Sequence, residues 1–418
     1  MNATFTTAVR YIVDIECRSP LRTGGSSRDP KTILRDSRNI PFVQGTSLAG
    51  AFRAWMDDPR LFCQNDLRSP LVFSDLRLDD DVSQVLRPRL RIDGKTGTAA
   101  RQAKFDTAAV PAGTRGRFEL VWTGFDNPAA IAELIERYLS ALNSGEITLG
   151  AQKTNGFGRV AVTARRRLYH MTDPGDLRAW LMGSDVDDAQ VVSLSTRMER
   201  DILFTVSAYT PSLLVKSVSS RQESKQTKGK SVATSMKEAG RHIIPGSSLK
   251  GSIRSQMTRI CPNFRYVPRD LEGIFGRPNS SSGGAAGELR FSDAELRDEK
   301  VIHNSRIRIN RLTGGIIPQN IVFSDSLCTA VSFEIRIPAR HKAGCGLLMY
   351  ALRDLGLGLY ELGSGTAVGL GRLQDLRVDV LSPDGEASMA CTDSGVTIAD
   401  PNGLISQWNE ALRKKEAL

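Results

Sequence analysis

Two aspartates lie in a segment that otherwise carries positive charge. The segment PLRTGGSSRDPKTILRDSRNIP begins at Pro20 and contains Asp29 and Asp36. Its cations are Arg22, Arg28, Lys31, Arg35 and Arg38. A carboxylate in such a loop, facing an RNA backbone, can hold a divalent ion or position a 2′-hydroxyl for in-line attack on the adjacent phosphodiester. The alternative for either aspartate is an ion-paired loop carboxylate without a chemical role.

The corresponding segment in the second half of the chain lacks such an aspartate. PSLLVKSVSSRQESKQTKGKSVATSMKEAGRHIIP, from Pro211, contains no Asp, and its acidic residues are Glu223 and Glu238. Whatever Asp29 does, we therefore expect the second half not to do it in the same way.

Both segments belong to an internal repeat, which four pairs of motifs reveal. The pairs, each with its first residue, are VQGTSLAGAFRAW (Val43) and IPGSSLKGSIRSQ (Ile244), LVFSDLRL (Leu71) and LRFSDAEL (Leu289), RLRIDGKTG (Arg89) and RIRINRLTG (Arg306), and LGAQKTNGFGRV (Leu149) and LGSGTAVGLGRL (Leu362). Chance can produce one such match but not four in the same order, so the chain contains two copies of one unit.

The first repeated motif, G-[TS]-S-L-x-G, predicts a helix with a phosphate-binding N-terminus. Apolar residues recur at i, i+4 and i+8 in both copies, namely Leu48, Phe52, Met56, Leu249, Ile253 and Met257. The hydroxyls expected to cap the first turn belong to Thr46, Ser47, Ser247 and Ser248. Unpaired N–H groups and the positive dipole end favour a phosphate there, with cationic contacts from Arg53, Lys250 and Arg254. The alternative is simple capping of a helix that carries surface charge.

A glycine-containing loop, G-x-G-R, ends each copy. Its residues are Gly156, Gly158 and Arg159 in the first half and Gly369, Gly371 and Arg372 in the second. Such a loop lets a phosphate backbone approach the main chain while the arginine supplies charge, and Lys153 lies in the same loop. The alternative is a tight turn at a strand entry. The glycine motifs match neither G-x-x-x-x-G-K-[ST] nor G-x-G-x-x-G, which disfavours nucleotide-binding loops of those classes.

The third motif of each copy reads as a projecting β-hairpin with basic flanks. Strand-forming residues surround a glycine-containing excursion that starts at Arg91 in the first copy and Arg308 in the second. The flanking cations are Arg91, Lys95, Arg101, Lys104, Arg308 and Arg311. Such a hairpin can slide between nucleotides and unstack them, whereas the alternative is an ordinary solvated hairpin.

The elements that must position these motifs follow the order β-α-β-β-α-β in each copy. We therefore predict an α+β protein with two tandem ferredoxin-like (RRM-like) domains and hairpin insertions. The predicted divisions are a first domain at 1–165, a linker at 166–197, a second domain at 198–380, and a tail at 381–418 containing the helix LISQWNEALRKKEAL.

Charge and composition narrow the classes of partner. The formal charge of +10 and the pI near 9.4 favour a polyanion, nucleic acid before a membrane surface. Six dispersed cysteines without a C-x-x-C pair disfavour a zinc site or a disulfide framework. The N-terminal residues do not resemble a secretory signal and no stretch is long enough to span a bilayer, so we expect a soluble cytoplasmic protein with reduced thiols.

In combination, these motifs resemble the RAMP family, and more narrowly the repeating backbone subunit of type III CRISPR effector complexes, fused here as two copies. The resemblance implies a palm that grips the guide RNA (crRNA), a thumb hairpin that displaces bases, and other subunits of the complex as partners. It also implies divalent-metal-dependent cleavage of complementary target RNA, with Mg²⁺ as the expected ion. Asp29 best matches the family's cleaving aspartate, and Asp36 is the lesser candidate.

The departures from the family pattern suggest different roles for the two halves. The second loop lacks the aspartate, which suggests that the second domain binds RNA without cutting, and Ala49 stands in the first half where the second has Lys250. Two other functions stay open: an RNA-binding scaffold whose complex cuts elsewhere, and a guide-processing endoribonuclease. The latter would use His242, for which a solvated loop position is the alternative.

Overall fold

A computed structural model describes residues 5–24, 31–62, 69–92, 99–183, 189–223, 231–277 and 283–418. Asp29 and Lys95 lie outside these ranges, and the side chain of Arg91 is likewise not described. Contacts divide the chain into two units, one running to Glu199 and the other from Arg200 to Leu418, and the latter also includes Thr154–Gly156. Both units have mixed α/β content with more sheet than helix.

The first unit is built around the strand that opens the repeat. Its elements are β1 (Thr7–Cys17), β2 (Phe42–Val43), α1 (Gly45–Trp55), β3 (Leu71–Phe73), β4 (Leu76–Leu78), β5 (Val85–Ile92), β6 (Ala99–Ala109), β7 (Arg115–Gly124), α2 (Pro128–Ser144), β8 (Val160–His170), α3 (Pro174–Met182) and β9 (Gln190–Val192). The main sheet has the order β2-β4-β7-β1-β8-β9, with β3 also on β7, and β5 and β6 form a separate two-stranded sheet. The central strand β1 is antiparallel to both β7 and β8.

The core of the first unit lies between this sheet and the helices α1 and α2. Alternate residues of β1, from Val9 through Tyr11 to Val13, are completely buried there. The amphipathic sequence DNPAAIAELIERYLSALNSG, from Asp126, predicts a capped helix that ends at Gly145, and α2 confirms it. The Asn127 side chain accepts a hydrogen bond from Ala129 N at 2.9 Å, and Gly145 ends the helix at φ 83°. The buried apolar face of α2 and the caps at its two ends thus account for its position on the sheet.

The second unit repeats this plan with longer strands. Its elements are β10 (Asp201–Leu213), β11 (Lys216–Glu223), β12 (Ser231–Ser235), β13 (Lys237–Glu238), β14 (Arg241–Ile244), α4 (Gly246–Ile260), α5 (Glu272–Phe275), β15 (Arg290–Phe291), β16 (Ala294–Ile309), β17 (Ile316–Pro338), α6 (Lys342–Gly356), β18 (Gln374–Ser382), β19 (Gly385–Thr392), β20 (Gly395–Ala399) and α7 (Leu404–Arg413). The main path is β13-β14-β16-β17-β10-β18-β19-β20. The order β16-β17-β10-β18 repeats the order β4-β7-β1-β8 of the first unit, with the same antiparallel pairs around the central strand.

The apolar stripes of the first helices are buried as their spacing predicts. Leu249, Ile253 and Met257 are fully buried within α4. Leu48 and Phe52 are buried within α1, but that helix ends at Trp55, so the third member of the stripe, Met56, follows the helix and is half-buried.

The structure draws the divisions of the chain differently from the sequence prediction. The predicted linker at 166–197 belongs to the first unit: β8 continues to His170, α3 follows, and β9 pairs with β8. Trp180 of α3 lies edge-on to the rings of Phe5 and Tyr169, which explains why this polar segment is held. The predicted tail extends the second sheet through β19 and β20 before it forms the expected helix, α7.

The cysteines of the described ranges have free thiols. Burial raises the pKa of the Cys17 thiol to about 12 and that of Cys345 further. No helix within the described residues is sufficiently long and apolar to cross a membrane.

Candidate functional site

A cleft of about 230 Å³ lies in the first unit where several repeated motifs meet. Its lining comes from the segment after β1, the entrance of α1 and the turn before β8, and consists of Thr23, Gly24, Leu34, Val43, Gln44, Ser47 and Gly150. Residues 25–30, which include Asp29, join Gly24 to the described residues that begin at Lys31. Gly24, from which the aspartate-bearing segment continues, therefore lies at this cleft, and so does Leu34, three residues after Lys31.

Thr23 ties together the two arms of that segment. Its hydroxyl accepts a hydrogen bond from Leu34 N at 2.9 Å, and only 1% of the residue is exposed. One residue earlier, the carbonyl of Arg22 accepts from Ala151 N at 3.0 Å, and Leu21 and Val110 exchange two backbone bonds. Together these bonds fix where the segment leaves and rejoins the fold.

The G-x-G-R loops are tight turns that hold the segment after the first strand in both units. Gly158 donates from N to Pro20 O at 2.9 Å, and Gly371 donates to Ser212 O at 2.6 Å. Both glycines have left-handed φ angles, 84° and 88°. A Cβ at either position would approach a backbone carbonyl oxygen to within 1.9 Å and 1.8 Å respectively. Only glycine fits at these two positions, so the motif forms the tight turn that was its alternative interpretation.

The F-S-D motifs cap the Gly-Ser helices, and the expectation that hydroxyls would do so is wrong. Asp75 Oδ1 accepts from Gly45 N at 2.8 Å, and Asp293 Oδ1 accepts from Gly246 N at 2.8 Å. The side chains of the residues flanking these helices, Gln44 and Pro245, make no capping bond. A carboxylate beside the first N–H matches the positive end of the helix dipole better than a neutral hydroxyl does.

The serine of the same motif holds the aspartate in place. Ser74 Oγ accepts from Glu119 N at 2.8 Å, and Ser292 Oγ accepts from Glu334 N at 2.8 Å. The serine thereby joins the motif to the neighbouring strand, β7 or β17, while the aspartate reaches the helix. The two units thus use the same hydrogen bonds for the same purpose.

A family model for the RAMP superfamily matches residues 14–161 and 207–374. The chain belongs to the RAMP superfamily. The two matched regions show two RAMP domains in one chain, and each contains the Gly-Ser helix, the F-S-D motif and the G-x-G-R loop. RAMP proteins work in CRISPR complexes with RNA and other subunits, which indicates a CRISPR-associated RNA-binding subunit. A search of curated proteins found no match.

The cap of the second RAMP domain gives a direct test of this architecture. We expect Asp293→Ala to lower the free energy of unfolding by about 1 kcal/mol, because the N-terminus of α4 loses its acceptor. Asp293→Asn retains the acceptor oxygen and should lose less. The measurement is urea-dependent hydrogen exchange of α4 peptides, and equal losses in both variants would contradict the capping role.

The hydroxyls predicted to bind phosphate differ in their exposure. Thr46, Ser47 and Ser248 are exposed, Ser247 is half-buried, and Ser47 lines the cleft of the first RAMP domain. Because an aspartate already neutralises part of the helix dipole, these hydroxyls would meet a phosphate as hydrogen-bond donors rather than through the dipole.

The cations within the Gly-Ser helices are engaged by the protein itself. Arg53 pairs with Asp57 at 3.1 Å, and the Arg254 guanidinium lies 5.5 Å from the centre of the Phe275 ring. Lys250 donates to Thr154 Oγ1 at 2.9 Å, and both residues belong to the second unit. These contacts leave less of each cation for a phosphate than the sequence pattern predicts.

The remaining predicted cations divide between the loops and the hairpins. Lys153 and Arg159 of the first G-x-G-R loop are half-buried, and Arg372 of the second is exposed. Arg308 and Arg311 are exposed near the end of the hairpin formed by β16 and β17.

Asp36, the lesser catalytic candidate, has a structural role in a turn. Its Oδ1 accepts from both Arg38 N and Ile40 N at 2.9 Å, and Asn39 within this turn has a left-handed φ of 65°. A carboxylate oxygen that holds two backbone N–H groups is poorly available for binding a substrate proton or an ion.

The described residues do not by themselves make a divalent-ion site at the cleft. Hydroxyl, amide and carbonyl oxygens line it, but no carboxylate does, and no group of three or more His, Cys, Asp or Glu suited to a metal occurs in the described ranges. Hard divalent ions prefer carboxylate oxygens, so the lining residues of the cleft alone do not fit such an ion.

Two arginines that the sequence analysis did not include among the RNA-binding cations anchor the hairpin of the first RAMP domain. The guanidinium carbons of Arg87 and Arg89 lie 5.0 Å and 5.6 Å from the centre of the Phe157 ring. Arg89 also donates to Gln152 Oε1 at 2.8 Å. One difference between the two copies could have indicated these contacts. The first loop reads G-F-G-R and contains Phe157, whereas the second reads G-L-G-R and has Leu370 in place of the aromatic ring.

His242, the residue on which a guide-processing activity would depend, is buried rather than solvated. Its Nδ1 lies 2.5 Å from Glu299 Oε2, and 8% of the residue is exposed. The described surroundings of His242 therefore favour a structural pair on β14 and β16.

Proposed function

We propose that this chain is a guide-RNA (crRNA)-binding backbone subunit of a type III CRISPR interference complex whose first RAMP domain cleaves complementary target RNA. The observation that carries the proposal is an asymmetry between two otherwise matching scaffolds. Both domains hold the segment after their first strand with the same glycine turn. Only the first joins it to a cationic, aspartate-bearing sequence beside a cleft.

In this proposal each RAMP domain is a ferredoxin-like palm with a thumb. The strand orders β4-β7-β1-β8 and β16-β17-β10-β18, with two helices on the sheet, support the palm assignment. The hairpins β5–β6 and β16–β17 supply the thumbs. The second hairpin is the better described, and its residues near the turn are exposed to solvent.

The second hairpin combines charge and apolar surface in the way that RNA binding requires. Arg308 and Arg311 are exposed, and beside them Ile309 and Leu312 are 56% and 96% exposed. Arginines can neutralise phosphates while aliphatic side chains insert beside a base, as wedge residues do in other nucleic-acid complexes. The cations and the wedge thus lie together on one exposed element.

In the proposed cleavage the chain orients the RNA and accepts a proton. Asp29 would take the proton of a 2′-hydroxyl as its oxygen attacks the adjacent phosphorus. The bond from phosphorus to the 5′-oxygen breaks, leaving a 2′,3′-cyclic phosphate and a 5′-hydroxyl that receives a proton. Thr23 and the glycine turn fix the ends of the Asp29 segment, which limits the orientations to be searched. The proposal includes dependence on a divalent ion, Mg²⁺, because the family resemblance implies metal-dependent cleavage.

RNA binding by the second hairpin is tested through the dependence of affinity on salt. We expect the double variant Arg308→Ala/Arg311→Ala to bind guide RNA more weakly and to lower the slope of log K against log[salt] by about 0.7 for each lost phosphate contact. Fluorescence anisotropy with labelled guide RNA at several salt concentrations gives both quantities.

Arg297→Ala is the matched control for that experiment. Arg297 is exposed on the same strand, but it pairs with Glu295 at 2.9 Å, so it has less charge to offer a phosphate. A slope that falls equally in the control and the double variant would show a general charge effect and no specific role for the hairpin end.

A further inference from the structure

The C-terminal part of the second unit lies outside both matched RAMP regions and contains an acidic segment, although the chain as a whole is basic. The family match ends at residue 374, and β19, β20 and α7 follow it. Between Ser382 and Gly403 the chain contains no Lys or Arg, and its four acidic residues are Asp384, Glu386, Asp393 and Asp400. In a chain with a formal charge of +10, this local reversal disfavours RNA as the partner of the segment.

The strand β20 ends the sheet and leaves one side of its backbone available. Within the described residues it pairs with β19 alone, through a register that runs from Ser388–Ala399 to Thr392–Gly395. Its sequence, GVTIA, has high β propensity and contains none of the prolines or lysines that commonly protect an edge. Such an edge is a template for a further strand.

Apolar side chains accompany this edge. Val396 and Ile398 pair with Cys391 and Met389, which are buried in the core, so all four lie on the face of the sheet that the helices cover. Val396 and Ile398 are nevertheless 36% and 55% exposed. An added strand would cover apolar surface as well as pair with the backbone.

A second copy of the chain is a poor occupant of this edge. Antiparallel self-pairing centred on Thr397 would bring Asp393 and Asp400 of the two copies close together at both ends of the ribbon, and like charges so placed are unfavourable. A segment with Lys or Arg at its outward positions would instead neutralise the acidic residues.

We propose that β20 is a docking strand that accepts an extended, basic, alternately apolar segment of another protein by β-augmentation. The acidic residues of the β19–β20 ribbon favour a partner with Lys or Arg, and Val396 and Ile398 favour apolar side chains at alternate positions of the added strand. This site would serve contacts between proteins, separate from the RNA contacts proposed above.

The test uses the full chain and a library of random 12-residue peptides displayed on phage. Selection is expected to enrich basic peptides with alternating apolar residues. Their affinity, measured by fluorescence anisotropy, should fall about tenfold or more for Ile398→Lys, which blocks the edge. Val191→Lys is the matched control, because Val191 is also an exposed strand valine but lies in the first unit. Circular dichroism would verify that both variants fold.

Several results would overturn the proposal. Enrichment of acidic or non-alternating peptides would remove the charge argument, and peptides that bind Ile398→Lys as well as they bind wild type would place the site elsewhere. Failure to enrich any peptide would also contradict it. A concentration-dependent dimer in sedimentation experiments that Ile398→Lys abolishes would assign the edge to a second copy. None of these results depends on RNA cleavage, so the proposed function would stand or fall separately.

Discussion

Replacing Asp29 with Ala is expected to slow target-RNA cleavage by the first RAMP domain by about 10²- to 10⁴-fold, the range associated with the loss of a positioned general base. Guide and target binding should stay unchanged, since the substitution removes one carboxylate from a segment whose cations remain. The measurement uses the complex assembled with partner subunits and guide RNA. End-labelled complementary RNA is added with Mg²⁺ or with EDTA, and the expected result is loss of one metal-dependent cut while others persist.

Asp36→Asn is the matched control for Asp29→Ala. The amide keeps an oxygen that can accept from Arg38 N and Ile40 N, so the turn should survive and cleavage should continue. An unchanged pattern of cuts in Asp29→Ala would make this chain an RNA-binding scaffold and move the chemistry to another residue or subunit. Loss of cleavage in Asp36→Asn with normal assembly would reverse the roles of the two aspartates.

Substitution of Gly371 by Ala is expected to cost about 3 kcal/mol of the stability of the second RAMP domain, near the upper end for a single change. The added Cβ would meet Leu362 O at 1.8 Å, and the φ of 88° is unfavourable for any residue with a Cβ. The turn would have to open, and the bond from Gly371 N to Ser212 O would be lost with it. Urea-dependent hydrogen exchange of α6 and β18 peptides reports the second domain alone.

Gly369→Ala separates the steric cost of the added Cβ from the conformational cost of the left-handed φ within the same motif. Gly369 has a similar φ of 82°, but a Cβ there would meet no atom within 4 Å. Its expected cost is therefore the conformational penalty alone, about 1–2 kcal/mol. Equal losses for the two variants would show that the close approach to Leu362 O is relieved at little cost. The role of the G-x-G-R turn in holding the segment after β10 would then be smaller than we infer.

The internal repeat could be recognised from the sequence because its motifs depend on local constraints. Gly158 and Gly371 recur because the turn geometry admits no side chain, and the stripe from Leu249 to Met257 recurs because one face of α4 must be buried. The same reasoning predicted α2 and its end at Gly145. Such constraints act within a few residues of the chain, so a single sequence displays them.

The caps of α1 and α4 and the boundary of the first unit depend on contacts between residues that are distant in the chain. Asp75 reaches Gly45 across 30 positions, and Asp293 reaches Gly246 across 47, so proximity in sequence favoured the wrong partners, the nearby hydroxyls. The segment at 166–197 reads as a linker because its polarity is high, yet Trp180 and the pairing of β9 with β8 hold it in the first unit.

The sequence by itself determined that two RAMP domains follow one another, where their glycine turns and first helices lie, and that only the loop of the first domain contains aspartates. The tertiary structure decided which polar groups are occupied: Asp36 holds a turn, His242 pairs with Glu299, and Asp75 replaces a hydroxyl at the cap. Residue type defines what a side chain can donate or accept. Only the packing of distant strands and helices determines which partner lies within hydrogen-bonding distance, and hence which groups are left for RNA.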